Sequence, residues 1–292
     1  MHIFGILCAL GAGLFFGILA PTTKIAFNMG VSIGLAIILR YLVASLLIAP
    51  LIPFQKNLIN TYQRNFFDFI LITLGSIFLT TGLLMSVKFI DVSLAILIFC
   101  TYPILVLLFS IIVDKENISL GIKSLFLLTF LGLFFVLGPS FSNLNLIGVL
   151  SAIMASIGAT TMIIVNQKMS NKSISPIAIN IFINIFNSIF FFCILFLFFS
   201  IDFSITKTSF LIVLIPSFSY AIALFLQLLA IPKIGQSNTA LFLYLEPVVA
   251  VLGAVILLKE VLNLYQLFGA IIVLSSLALA TYLSEKSKND FS

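Results

Sequence analysis

The sequence predicts an all-α integral membrane fold, with ten transmembrane helices arranged as two inverted five-helix repeats. Three observations carry that expectation. Hydrophobic residues make up 62% of the 292-residue chain and charged residues 8%, at a mean hydropathy of +1.31, a composition no soluble domain sustains. The apolar runs are each about 20 residues long, enough to cross a hydrocarbon core of about 30 Å. The chain also repeats itself: Pro103 and Pro247, Glu116 and Glu260, and Lys24 and Lys168 are all 144 positions apart.

In order, the predicted spans are 3–27, 31–53, 67–87, 91–113, 120–139, 145–167, 175–200, 208–231, 236–257 and 263–283. The first begins "MHIFGILCALGAGLFFGILA", apolar like a signal peptide but without a basic leading region, so it reads as a retained span. Gly13 and Gly17 in it form a GxxxG spacing that admits a neighbouring backbone. Pro21 removes one helical hydrogen bond, and the hydroxyls of Thr22 and Thr23 are placed to satisfy part of what it frees, which suits a bent helix lining a cavity.

The second span carries Arg40, nine residues after Val31 and so roughly 14 Å deep at about 1.5 Å per residue. An arginine there costs on the order of 2.5–3.5 kcal/mol and needs a partner or water; a fixed ion pair and a binding site both answer that need. The connection from Phe54 to Phe66 is the longest polar stretch and reads as a loop. The fourth span places Tyr102 before Pro103. On the seventh, Asn180, Asn184 and Asn187 recur at spacings of four and three and form one polar stripe, with Asn184 standing 144 positions after Arg40. Tyr220 and Gln227 follow on the eighth, and Tyr244 on the ninth. Interhelical hydrogen bonding explains any one of these. Together they suit a mixed polar and aromatic cavity for a small amphipathic substrate.

The ninth span holds "LYLEPVV", a carboxylate followed by a helix breaker. Pro247 has no N–H, so the carbonyl of Leu243 is expected to lose its helical partner, and loosened backbone at that depth must be buried in protein or face water. A continuous helical wheel sets Thr239, Glu246, Ala250 and Gly253 on one face, with small residues leaving room beside the carboxylate. Glu246 is thus a candidate for exchanging a proton against substrate. The alternative is a permanent partner that only holds helices together.

Five spans separate the copies, and five is odd, so each helix of the second half runs opposite to its counterpart, the arrangement of alternating-access transporters. With the N-terminus inside, Lys56, Arg64, Lys115, Lys123, Lys168, Lys172, Lys233, Lys286 and Lys288 fall inside, while Lys24, Lys88, Lys207 and Lys259 fall outside. That asymmetry predicts cytoplasmic termini. Lys24 and Lys168 read first as snorkelling helix-end residues, with Lys24 also a candidate substrate contact. Glu116 and Glu260 read as solvated helix-end residues.

Other chemistries are disfavoured. The net charge of +5 is spread singly along the chain, unlike a nucleic-acid patch. Cys8, Cys100 and Cys193 lie in apolar runs without metal-ligand spacing and are expected to pack as small apolar residues. The single histidine is His2, and no nucleotide loop, nucleophile elbow or CxxC pair is present. An enzyme, a cofactor or a metal is therefore not expected, and transport would be driven by an ion gradient or by exchange.

The paired prolines, the Glu beyond each of them, and "YLEPVVAVLGAVILLKEVLNLYQLFGAIIVL" with its Gly269 resemble the EamA-type permeases of the drug/metabolite transporter superfamily. The resemblance spans the chain, with 1–139 as one repeat, 145–283 as the other and 284–292 as a cytoplasmic tail. It implies export or exchange of small metabolites across a bacterial inner membrane, amino acids or related compounds first, with import or exchange of a metabolite such as S-adenosylmethionine as the alternative; a membrane scaffold or receptor is the rival outside transport. Expected partners are the lipid bilayer and a small-molecule substrate, with protons as candidate coupling ion and a second copy of the chain as candidate partner. Two departures stand out. The chain has no tryptophan, and Tyr102 occupies the first-repeat position before proline where the second repeat has Glu246.

Overall fold

A computed structural model describes residues 2–55, 57–90, 92–115, 118–138, 145–198, 206–258 and 263–289. Its elements are helical throughout: α1 (His2–Asn28), α2 (Ile33–Ile48), α3 (Leu58–Arg64), α4 (Phe66–Phe89), α5 (Val92–Phe99), α6 (Tyr102–Ile112), α7 (Leu120–Leu137), α8 (Leu146–Asn171), α9 (Pro176–Phe198), α10 (Lys207–Ile234), α11 (Gln236–Phe242), α12 (Leu245–Leu258) and α13 (Leu264–Asn289). Among the described residues nine segments are long and apolar enough to cross a membrane, and the apolar part of the tenth is Leu264–Ala280. We call the face where α1 begins the near face and the opposite one the far face.

Local chemistry fixes where the helices start. Ser32 Oγ accepts from Leu35 N at 3.3 Å, Asn145 Oδ1 from Ile147 N at 2.9 Å, and Thr206 Oγ1 from Ser209 N at 3.1 Å, each satisfying an N–H that a first turn leaves unmet. Asn263 and Gln266 cap each other reciprocally before α13. Gly138 closes α7 with φ 49°, a left-handed conformation glycine adopts without a Cβ penalty.

The offset read from the sequence is the offset of the architecture. α8 starts 144 positions after α1 (146 − 2), α11 starts 144 after α5 (236 − 92), and α13 starts 144 after α7 (264 − 120). Counterparts also pack alike: α4 against α8 mirrors α10 against α1, while α2 meets its own counterpart α9, and α7 meets α13. Small residues set these crossings. A Cβ on Gly75 of α4 would lie 2.9 Å from the Gly158 carbonyl of α8. At the equivalent place Ser219 of α10 donates to the Phe15 carbonyl of α1 at 2.6 Å. Gly269 of α13 packs so closely on α7 that a Cβ would sit 2.6 Å from the Gly132 carbonyl.

Four expectations need correction. The Phe54–Phe66 connection is not simply a loop, since it contains α3, and span two ends in a 3-10 turn over Ala49–Phe54. Spans four and nine are each two helices, broken at Cys100–Thr101 and Leu243–Tyr244. Cys8 and Cys100 are buried as expected, but Cys193 is exposed on the outer surface of α9. Thr22 Oγ1 donates to Ile18 O at 2.7 Å and Leu19 O at 3.1 Å, one residue on from the Gly17 carbonyl that Pro21 frees, so the hydroxyl does not meet that group. Glu116, Glu260, Lys56 and Lys259 lie outside the described residues.

Candidate functional site

The halves of the two broken spans pack differently on the two faces. On the near face α6 and α11 pack against each other. Gln236 Nε2 donates to Ser110 Oγ at 2.7 Å and to Asp114 Oδ2 at 2.6 Å, and Ser237 Oγ donates to Ser110 Oγ at 2.8 Å. Ser110, Gln236 and Ser237 are buried, so these bonds form a polar latch across the near side. On the far face α5 packs on α8 and α12 on α1, and among the described residues no packing like that of α6 on α11 joins α5 to α12. Among the described residues the two broken spans are therefore joined on the near side by contacts not found between them on the far side.

The ninth-span break explains itself at the backbone. Pro247 cannot donate to the Leu243 carbonyl, but Glu246 N does so at 3.0 Å. The carbonyl expected to be orphaned is thus recaptured by a tighter turn. The break also separates Thr239 on α11 from Glu246 on α12, so they do not share one helix face; Thr239 is wholly buried and its hydroxyl donates to Gly235 O at 2.8 Å. Beyond the break, α12 seats in the glycine groove of α1. A Cβ on Gly17 would lie 2.6 Å from the Glu246 carbonyl, one on Gly13 3.1 Å from Leu245 Cβ, and one on Gly253 2.8 Å from Pro21 Cγ. The Glu246 side chain is only partly covered, although it lies deep in the protein, and no hydrogen bond or ion pair is recorded for its carboxyl among the described residues.

Arg40 answers the same description. It is enclosed by the bundle but not hidden from solvent, and its guanidinium carbon stands 5.4 Å from the centroid of the Tyr220 ring, within cation–π range. No carboxylate pairs with it among the described residues. Beside it, Tyr41 OH meets Thr80 Oγ1 at 2.6 Å and Ser76 Oγ at 3.2 Å, and Asn187 Nδ2 donates to the same Ser76 Oγ at 2.9 Å. Tyr220 meets Tyr41 edge-on at 5.4 Å and Phe16 at 6.4 Å. Ser76 and Tyr220 stand 144 positions apart and both touch Tyr41, which places this cluster on the pseudo-two-fold axis. Asn184, the counterpart of Arg40, donates to Asn180 O and Oδ1 at 2.9 and 2.7 Å. Asn180 Nδ2, Asn184 Oδ1 and Asn187 Oδ1 remain buried without partners, unmet capacity in a region where burial makes it costly.

The profile of the EamA-like transporter family matches residues 3–138 and again residues 146–282. The chain belongs to the EamA-like transporter family. A crystal structure of a protein with 16% sequence identity superposes at a TM-score of 0.81 over 98% of this chain and 99% of the other, which shows a shared fold. No curated protein matches the chain.

In this EamA-like chain the expected site residues fall into two groups. Arg40 and Tyr220 stand at the cluster of α2, α4, α8, α9 and α10 around Tyr41, and Asn184 lies on α9 next to its Ile183. Tyr102 and Tyr244 belong to the other cluster, built from α1, α5 to α8 and α10 to α13, with Glu246 beside them at the break. Phe16 and Leu79 pack against both clusters and form the wall between them. Tyr102 is buried against Phe99 at 5.1 Å; Tyr244 is wholly buried near Phe126, its hydroxyl unpartnered. Gln227 is buried on α10, and Lys24 is exposed near the far end of α1. Pro21 lies within α1, and Pro103 and Pro247 open the second halves of the broken spans.

Sequence reasoning missed three groups. The latch residues Ser110, Asp114, Gln236 and Ser237 sit at helix ends where isolated polar residues carry no pattern. Asp68, buried in the first turn of α4, pairs with Lys168 at 2.8 Å and also with Lys172, so Lys168 joins α8 to α4 beyond any snorkelling role. The third, Asn166 on α8, is wholly buried with neither amide atom partnered; an amide within an apolar span was the available signal.

Proposed function

We propose that this EamA-like membrane transporter is a secondary permease that exports amino acids or related small metabolites across a bacterial inner membrane by alternating access. The near face is then cytoplasmic, as the distribution of lysine and arginine favours, and the latched bundle represents an outward-facing state. The observation that carries the reading is Arg40: a guanidinium deep in the bundle, partly exposed, set over an aromatic ring and with no carboxylate paired to it among the described residues. Such a charge is stabilised by an anionic group on the substrate, and a planar fork binds a carboxylate in two places. Glu246, across the Phe16 and Leu79 wall, offers the opposite charge for an ammonium group or for proton exchange. A scaffold gains nothing from two separate unpaired charges at the core of its bundle, since each is expensive to bury.

The test begins with thermal stabilisation of the purified protein against a metabolite library, because a bound ligand raises the midpoint by mass action. Stabilising compounds are expected to carry a carboxylate. Arg40→Lys, which keeps the charge and loses the fork, is expected to weaken binding tenfold or more, about 1.4 kcal/mol, with normal membrane insertion. Transport at wild-type rates in both Arg40→Lys and Arg40→Gln would remove Arg40 from the site and the reading with it.

A further inference from the structure

The wholly buried amide of Asn166 has no role in the state described above. It lies five residues before Asn171, the near end of α8, about 7.5 Å from that end at 1.5 Å per residue. Neither Nδ2 nor Oδ1 has a partner. An amide at this depth loses its hydrogen bonds to water and gains none from protein, so its burial works against the folded state. A residue of this kind is retained where another state of the molecule satisfies it.

The elements that would uncover it are those held by the latch. α11 and α10 both pack on α8, and Ile163, one turn from Asn166, belongs to the same packed cluster as Ile231, Ile234 and Ala240 of those helices. α11 is a near-side half-helix, separated from α12 by the Leu243–Tyr244 break. Releasing Gln236 and Ser237 from Ser110 and Asp114 lets α11 leave the near half of α8. The counterpart of Asn166 in the first repeat is Thr22, whose hydroxyl is satisfied within α1 by Ile18 O at 2.7 Å, so the unmet amide is particular to the second copy.

We infer that Asn166 is a substrate-contacting, specificity-determining residue of the near-facing state, hidden here behind the Ser110–Asp114–Gln236–Ser237 latch. Its paired donor and acceptor suit a substrate that offers both, as an ammonium beside a carboxylate or a carboxamide does. The inference rests on the alternating-access reading, and its test separates the two.

Asn166→Cys is placed in full-length protein with Cys8, Cys100 and Cys193 replaced by alanine, in vesicles where a membrane-impermeant methanethiosulfonate reagent reaches only the near face. A spin-label pair at Val113 and Pro232 reports near-side opening. Gln236→Leu weakens the latch, and Ser110→Ala is the milder second variant. The expected result is a longer label distance, at least tenfold faster modification at position 166, and protection from modification by a mixture of the proteinogenic amino acids. Slow modification despite a lengthened distance would overturn the inference and leave alternating access standing. Fast modification without protection would also overturn it, making Asn166 a wall residue and not a contact. An unchanged distance in both latch variants would sink the near-facing state itself and the inference with it. An independent readout is Asn166→Leu, which removes both unpartnered atoms at similar volume: its thermal midpoint is expected to rise while transport falls. A lower midpoint would mean that the amide is structural.

Discussion

The two broken helices are one design carrying two chemistries. In "FCTYPIL" the break at Cys100–Thr101 is followed by Tyr102, buried against Phe99, and Pro103. Its side is held by α8, where Thr101 Oγ1 meets Ser156 Oγ at 2.9 Å. In "LFLYLEPVV" the break at Leu243–Tyr244 is followed by Glu246, reachable by solvent, and Pro247. Here α1 supplies a glycine groove in which Gly17 leaves no room for a Cβ beside Val249 and the Glu246 carbonyl, whereas its counterpart on α8 is Thr161, whose hydroxyl merely returns to Ile157 O. The break is thus a property of the repeat, while the carboxylate and its tight seating are particular to the second copy. Shared geometry identifies the moving part, and the asymmetry identifies which copy carries charge.

The comparison is broken most severely at the α1–α12 seam. Gly17→Leu is expected to destabilise the protein by about 3 kcal/mol or more, because the new side chain meets backbone that cannot move aside; Thr161→Leu at the matching place is expected to change stability little. Thermal unfolding of both in detergent measures the contrast, and equal losses would show the two seams to be equivalent. Next in size is the chemistry at the breaks. Glu246→Gln in proteoliposomes is expected to preserve substrate exchange and abolish acceleration by a pH gradient, whereas Tyr102→Phe is expected to leave that acceleration intact. Gradient-driven transport at wild-type rates in Glu246→Gln would exclude the carboxyl from coupling.

The smallest effect is expected away from both breaks. Tyr62 OH donates to Ala178 O at 3.0 Å, and burial pushes the phenol up to about 12. The folded state therefore favours the neutral phenol. Its stabilising contribution is complete below the ordinary tyrosine value near 10 and is lost as pH rises from there through about 12. Tyr62→Phe is expected to cost about 1 kcal/mol, to flatten that alkaline loss, and to leave transport unchanged; a transport defect would tie α3 to the gating motion.

What the sequence made legible was whatever repeats. Spans expected to start at 3 and 145 and at 120 and 263 begin at His2 and Leu146 and at Leu120 and Leu264, and the paired prolines marked the two spans that are broken. Arg40 and Glu246 were legible because a charge inside an apolar run is costly wherever it lies. Pairing across helices was not legible. Nothing near Ser110 or Gln236 in the chain announces that they meet across 126 positions, and Asp68 finds Lys168 only once α4 lies on α8. The wheel that joined Thr239 to Glu246 assumed an unbroken helix, and the helix is interrupted at Leu243–Tyr244 between them. Tyr102 and Tyr244 read as cavity-lining aromatics, yet both are buried in packed clusters.

The recaptured Leu243 carbonyl has a bearing on how easily the ninth span flexes. In hydrocarbon, a joint that exposed a bare carbonyl whenever it bent would face a steep barrier at each turnover. Because Glu246 N meets Leu243 O at 3.0 Å, the carbonyl that Pro247 leaves free is satisfied within the joint and asks nothing of a neighbouring helix. Resistance to switching then falls more heavily on the side-chain contacts at the near face, where single substitutions are able to tune it.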